Sequence, residues 1–236
     1  MAERPVFISE PATPSLIREH LVQFKWVPGM AISQAQKCIV SLHASVKKLP
    51  GVEKVLDISS KSPVHLGVAL SAFNLRITLG TMVTTVESAY QGSKVFRRGG
   101  PYEDILVAPP MQAKRDPRIR EGGPMSSFRL MGEEWPLEPK SAFYDWLYIT
   151  ALRENAEQAR QLAEYDAFTD IAFNPAKSIN CQARAAALYV ALLESGQLDQ
   201  ALASQAAFLD LLQEAGFGSS AQSSPGLFGD CLTEDG

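Results

Sequence analysis

The chain has 236 residues, of which 46% are hydrophobic and 20% charged, and its formal net charge is −4. That suffices for one well-cored domain, and the acidic balance excludes a protein that coats nucleic acid non-specifically, which needs a basic surface. It leaves open an enzyme that recognises a single modified nucleotide.

Residues 1–14 are proline-rich and aperiodic, an arm that is either extended or loose. Ser15 is placed to cap a helix through about Phe24, with Leu16, Ile17, Leu21 and Phe24 as its apolar side. Trp26-Val27-Pro28-Gly29 is a turn. A second helix, about Ser33 to Leu49, carries Ile39, Leu42, His43 and Val46 on one stripe, and Pro50-Gly51 closes it. His43 there reads as a satisfied core histidine rather than a catalyst. Val52 to Ile58 reads as a strand that runs into the polar loop Ser59-Ser60-Lys61-Ser62.

Ser59 to Phe96 is the stretch around which the rest is organised. Leu70-Ser71-Ala72-Phe73 is an apolar turn, and a short extended piece breaks at Gly80. Thr84 followed by Glu87 has capping-box spacing, so a helix starts there. Glu87, Gln91 and Lys94 then fall at i, i+4 and i+7, on one face beside Tyr90. An acid, an amide and an ammonium in line are either a solvated helix face or the wall of a polar pocket.

Beyond it, Arg97-Arg98-Gly99-Gly100-Pro101-Tyr102 is a plain turn or a phosphate-holding loop. Gln112 to Arg120 is a solvated basic loop or a local rim for phosphates. Phe128 to Leu130 reads as a short strand, and Trp135-Pro136 precedes a helix from about Lys140 to Leu152 with Phe143, Trp146 and Leu147 as core. A helix from about Glu154 to Tyr165 leads to a strand, Phe168 to Phe173, with Asp170 near its middle. A carboxylate in an apolar strand needs a reason, either capping a helix near Ser178 or facing a site. Helices from about Ile179 to Glu194 and Leu198 to Ala215 form a hairpin, either core or docking surface, and 216–236 reads as a disordered tail. Cys38, Cys181 and Cys231 are odd in number and scattered, and His20, His43 and His65 lack ligand spacing, so neither disulfides nor a metal is expected. No charged-then-apolar leader precedes Pro5 and no apolar run reaches membrane length, so the chain reads as cytoplasmic, without a membrane partner.

LSAF followed by VESAYQGSK resembles the NADAR superfamily over roughly Ile58 to Leu193. Nearly the whole chain is similar to the NADAR antitoxins found beside DarT-type DNA ADP-ribosyltransferase toxins, through WVPGMAISQAQK, ISSKSPVHLG, LSAFNL, VESAYQGSKVF, GGPYEDI and WPLEPKSAFYDWLY. The resemblance implies an α+β, predominantly helical fold with a few short strands. It implies a single domain over 1–215, with N-terminal helices at 15–50 and the C-terminal hairpin at 179–215. It also implies an enzyme that removes ADP-ribose from guanine in DNA, without a cofactor, and so counters its toxin; a local cationic rim would favour single-stranded over duplex substrate. Glu87 matches the catalytic glutamate, Ser71 and Phe73 the entry turn, Gln91 and Lys94 the following positions, with Tyr90 beside them. Trp135 matches a tryptophan before the next helix, Asp170 an aspartate of the site and Lys61 an upstream lysine. By the same match, Glu87, Lys61 and Asp170 are catalytic, while Ser71, Phe73, Tyr90, Gln91, Lys94 and Trp135 hold the substrate. Ala72 replaces the usual asparagine, Ser88 a histidine and Phe173-Asn174 a Trp-Gly, departures that bear on the substrate more than on the acid.

Breaking the C1″–N bond passes through an oxocarbenium-like centre, so a carboxylate is needed near it and a proton must reach the leaving amine. Glu87 is either that proton donor or the electrostatic stabiliser and base. Lys61 either contacts a phosphate or ribose, or attacks an opened ribose as a free amine. Two other readings stay open: an N-glycosidase of a small riboside of the riboflavin pathway, and a non-catalytic binding antitoxin.

Overall fold

The computed structural model describes residues 1–175, 178 and 180–217. Its first surprise is at the N-terminus. β1 (Ala2–Ser9) and β2 (Ile17–Phe24) form an antiparallel hairpin in register from Ala2↔Phe24 to Ser9↔Ile17. The helix expected after Ser15 is therefore a strand. Leu21, which that helix would have buried, is 60% exposed, whereas Val22 and Phe24 alternate inward with the period of two that a strand imposes. The extended arm supplies β2 with its partner.

α1 (Ile32–Val46) follows, much as its apolar stripe predicts, burying Cys38, Ile39, Leu42 and Val46. Then come β3 (Val55–Asp57), α2 (His65–Ala69), the hairpin of β4 (Arg76–Leu79) and β5 (Met82–Thr85), and α3 (Val86–Gly92). β6 (Lys94–Phe96), the short α4 (Glu103–Leu106), α5 (Pro110–Arg115) and α6 (Pro117–Glu121), β7 (Met125–Leu130) and β8 (Glu133–Trp135) lead to α7 (Ala142–Glu154). The helix expected over 154–165 is a short α8 (Ala156–Ala159) and a 3₁₀ turn (Arg160–Glu164). β9 (Ala167–Thr169) and α9 (Gln182–Glu194) follow, and the last helix is two, α10 (Leu198–Ala201) and α11 (Gln205–Glu214). Ser204 divides them, its side chain accepting from Ala207 N. Ala176, Lys177 and Ile179, and residues 218–236 with Cys231 and the expected tail, lie outside the described residues.

The fold is α+β, with 43% helix and 20% strand in several small sheets, so helix predominates only modestly. The main sheet has the order β2-β1-β9-β3, and β9 runs antiparallel to β1 but parallel to β3. Alternate residues serve two cores. Val6, Ile8, Val55 and Ala167 face a smaller one with the buried side chains of α1, while Phe7, Leu56 and Phe168 join a larger one with α7 and α9. Phe208 and Leu212 of α11 also belong to the larger core, so the C-terminal helices are packed in. No helix among the described residues is long and apolar enough to cross a membrane.

The two cores meet at a buried polar junction. Asp57, fully buried, accepts from Ser59 Oγ (2.6 Å), Thr169 Oγ1 (3.1 Å) and Ile171 N (2.8 Å). His43 Nε2 lies 3.0 Å from Thr169 Oγ1, so the core histidine anchors α1 to β9. Burial pushes the Asp57 carboxyl up to about 7, and the Asp170 charge adds to this. Burial, helped by Lys47, lowers His43 to about 4 from 6.5. A neutral imidazole must donate from Nε2 for Thr169 to donate onward to Asp57.

Because unfolded His43 takes a proton more readily than folded His43, its neutral burial contributes stability that is intact above about 6.5 and lost as pH falls towards about 4. His43→Gln keeps a donor without the titration. Urea unfolding should show the parent losing on the order of 2–3 kcal/mol more than this variant between about pH 7.5 and 4.5. Equal losses would show that His43 is not held neutral.

Candidate active site

α3 begins where β5 ends, and its cap decides which way its side chains face. Thr85 is extended, and its Oγ1 accepts from Ser88 N at 3.2 Å and lies 2.9 Å from Ser88 Oγ. The cap is thus one residue later than the Thr84–Glu87 spacing predicts, and Thr84 Oγ1 instead donates to Leu106 O. Ser88 completes the cap and also donates to Ala108 O at 2.8 Å. Glu87 is left free to turn inward.

Its carboxylate is 8% exposed, and its Oε1 accepts from Gln91 Nε2 at 2.9 Å. Its backbone N–H donates to Ala72 O at 2.9 Å, fastening α3 to the entry turn. Gln91 Oε1 is buried without a hydrogen-bond partner among the described residues. A buried acceptor left open beside a carboxylate suits a donor from a ligand.

Lys94 is not on this helix. α3 ends at Gly92, and Lys94 opens β6 opposite Phe128. Its ammonium nonetheless lies 4.6 Å from the centroid of Tyr90. Tyr90 packs on Tyr144 and Phe128, at 5.2 and 5.5 Å between centroids, and its hydroxyl accepts from Asn180 Nδ2 at 2.5 Å. Trp135 lies further back, 1% exposed, against Phe143 and Trp146. Phe143 separates it from Tyr90.

Ser71 builds the entry turn, its Oγ donating to Val68 O at 2.7 Å and accepting from Asn74 Nδ2 at 3.2 Å. Phe73, next along, has the Lys114 ammonium 5.3 Å from its ring centroid. The basic segment around Lys114 is two short helices rather than a loop, and Arg118 within it is held by Asp104 (2.6 Å) and Asp116 (2.8 Å).

Asp170 follows β9 immediately rather than sitting mid-strand. It does not cap a helix near Ser178, because α9 starts at Gln182 with Cys181 as its N-cap residue. Its Oδ1 accepts from Ala172 N (2.9 Å) and Phe173 N (3.2 Å), its Oδ2 from Gln182 Nε2 (3.0 Å). Burial pushes it up to about 6, while those donors and the Lys114 charge pull the other way. Lys61 sits in the turn after β3, its N–H donating to Ser59 Oγ at 3.2 Å. Parallel pairing of Asp57 with Thr169 brings that turn and Asp170 to the same end of the sheet. Burial pushes the Tyr144 phenol well up, as do the charges of Tyr148, Glu87 and Asp170 in turn, so both acids act on one phenol.

The structure thus pairs Glu87 with Gln91, Tyr90 with Lys94, and Phe73 with Lys114. Asp170 is tied to Glu87 through Gln182 and Ala72. Asp57, Tyr144 and Gln182 escaped the sequence reading. Asp57 carried the same signal as Asp170, a carboxylate at the end of an apolar strand, but Gln182 carried none. A shallow depression lined by Met1, Ala2, Arg4 and Trp26 contains none of these residues. Among the described residues no three His, Cys, Asp or Glu side chains gather as metal ligands.

The model of the DarT1-associated NADAR antitoxins matches residues 2–222. The chain belongs to that family, and its functional partner is accordingly a DarT toxin. No curated protein matches it.

The shifted cap makes a distinction that urea denaturation can read. Thr85→Ala should cost about 1 kcal/mol of stability, the usual worth of an N-cap side chain. Glu87→Gln, which keeps the size and an acceptor oxygen for Gln91, should cost less than Thr85→Ala. A large loss at Glu87 with none at Thr85 would restore the capping box.

Proposed function

We propose that this NADAR antitoxin hydrolyses the N-glycosidic bond between ADP-ribose and guanine in DNA, erasing the modification its toxin makes. The observation that carries this reading is Glu87, an 8%-exposed carboxylate held by Gln91 at the start of α3. Aromatic faces bearing cations accompany it, Tyr90 with Lys94 and, across the entry turn, Phe73 with Lys114. A glycosidic centre needs the first, and a base-and-diphosphate ligand the second.

In the proposed reaction the C1″–N bond breaks, the water oxygen joins C1″ and a water proton ends on the guanine nitrogen. Glu87 opposes the positive charge that develops on the ribose ring, takes the proton from water and delivers it to the leaving nitrogen. Asp170, with a donor on every accepted hydrogen bond, serves as a second fixed negative charge. Lys61, from the neighbouring turn, contacts a phosphate or the ribose. Lys94 and Lys114, with Arg115 beside the latter, form a local cationic rim on an acidic body.

Incubation with a guanine-ADP-ribosylated oligonucleotide, followed by assay of released ADP-ribose, tests this directly. Turnover beyond one equivalent is expected, and release of none would sink the reading. Glu87→Gln should lower the rate at least ~10²-fold with the fold intact. The rate should also fall as pH drops through about 6, where Asp170 takes up a proton.

The rim has its own signature. Lys114→Gln with Arg115→Gln should weaken oligonucleotide binding and spare free ADP-ribose. The log–log salt dependence on single strands should have a slope of about 0.7 per neutralised phosphate, for roughly two to four phosphates. Equal damage to both ligands, or a much steeper slope, would count against a local rim.

A further inference from the structure

Asp170 and Glu87 make no direct contact, yet one side chain joins their settings. Gln182, first residue of α9, donates from Nε2 to Asp170 Oδ2 at 3.0 Å, and its Oε1 accepts from Ala72 N at 2.6 Å. On the other side of the same residue, Ala72 O accepts from Glu87 N at 2.9 Å. The chemistry fixes the amide's orientation, since Ala72 N–H can only donate and must face the oxygen, leaving the NH₂ for the carboxylate.

We infer that Gln182 is a positioning residue, which fixes Asp170 against the entry turn and, through the Ala72 residue, fixes the start of α3 that carries Glu87. It also favours the Asp170 anion, because with its oxygen taken by Ala72 N–H it can present only its NH₂ to the carboxylate. The inference rests on the reading of Glu87 and Asp170 as the reacting carboxyls. Ala72 has no polar side chain, so it meets Gln182 through its backbone.

The other charged and titratable groups that act on Asp170 have been placed by the fold. Lys114 on α5 favours its anion. The Asp170 charge acts in turn on Asp57 beyond β3, Tyr144 and Tyr148 on α7, Cys181 before α9 and Arg4 on β1. Gln182 is the group among these that hydrogen-bonds both Asp170 and the turn, so its replacement should be felt at both.

Gln182→Leu removes a donor from Asp170 and an acceptor from Ala72 N–H. The acidic limb of the rate–pH profile should move up by about one pH unit, as expected for a lost hydrogen bond to a buried carboxylate. The plateau kcat should fall at least ~10-fold, with KM changed less than about threefold. Gln182→Glu keeps the size and the oxygen facing Ala72, but needs a shared proton to donate to Asp170. Its activity should therefore fall as pH rises over the alkaline range where the parent is constant. Carbon-detected NMR of the Asp170 carboxyl, without substrate, should show the same upward shift in Gln182→Leu. If the parent never releases ADP-ribose yet that shift appears, the glycosidase reading fails and the bridge stands. If the parent is active and both variants keep its profile and its Asp170 titration, the bridge is overturned. Should Gln182→Leu not fold by circular dichroism, Gln182→Glu decides alone: alkaline loss supports the inference and a parental profile overturns it.

Discussion

A carboxylate taken out of water costs several kcal/mol unless donors replace its hydration. The β3–β9 pair meets that constraint at two neighbouring positions, since Asp57 pairs with Thr169, the residue before Asp170. Asp57 is held by Ser59, Thr169 and Ile171, and Asp170 by Ala172, Phe173 and Gln182. Asp57 is linked through Thr169 to His43 of α1, and Asp170 through Gln182 to α9. The donors come from backbone and side chains that the chain can supply only once both strands have ended together. Satisfying the carboxylates therefore fixes the path of the loops after β3 and β9, and those loops bring Lys61 and Asp170 to the same end of the sheet.

Close packing reinforces this path. A Cβ at Gly67 would stand 2.0 Å from Asp57 O and 2.5 Å from Ser62 Oγ, so α2 presses directly on the end of β3. From α2 the chain turns at once through Leu70, whose carbonyl accepts from the buried Tyr148 hydroxyl at 2.7 Å. A hydrogen bond of that kind is worth about 1 kcal/mol, but leaving Leu70 O unmet would cost more, so the entry turn has little freedom. The position of Glu87 is thus inherited from the sheet, through α2, the turn and the Ala72 carbonyl.

Local patterns were legible where one segment carried its own reason. The apolar stripe of α1 and the break at Gly80 needed no distant partner, and the logic that an acid in an apolar strand must face something pointed to Asp170. The failures were non-local. Residues 17–24 have apolar spacing that a helix would share, and only pairing with β1, through a loop in which Leu16 takes a left-handed φ of 60°, makes them a strand. Lys94 fits the helical period from Glu87, but Gly92 packs where a Cβ would lie 2.6 Å from Leu106 Cδ2, and α3 stops there. Gln182 is one glutamine among polar neighbours, and only the fold shows that it spans to residue 72. Trp135 matched a family position, yet its indole is backing for the aromatic layer beneath Tyr90.

The charge balance completes the physical picture. On a body of net charge −4, the anion recognition proposed above is better served by a few concentrated cations than by a long basic groove. Arg118 illustrates the cost, since two carboxylates already hold its guanidinium and it has little left for a phosphate. Lys94 and Lys114 each also lie against an aromatic ring, Tyr90 and Phe73, which sets a flat apolar face beside the ammonium. Nucleotides offer the matching pair, a phosphate and a base. On the proposed reading, recognition concentrated at two such places would let the protein stay acidic and so limit its hold on unmodified DNA.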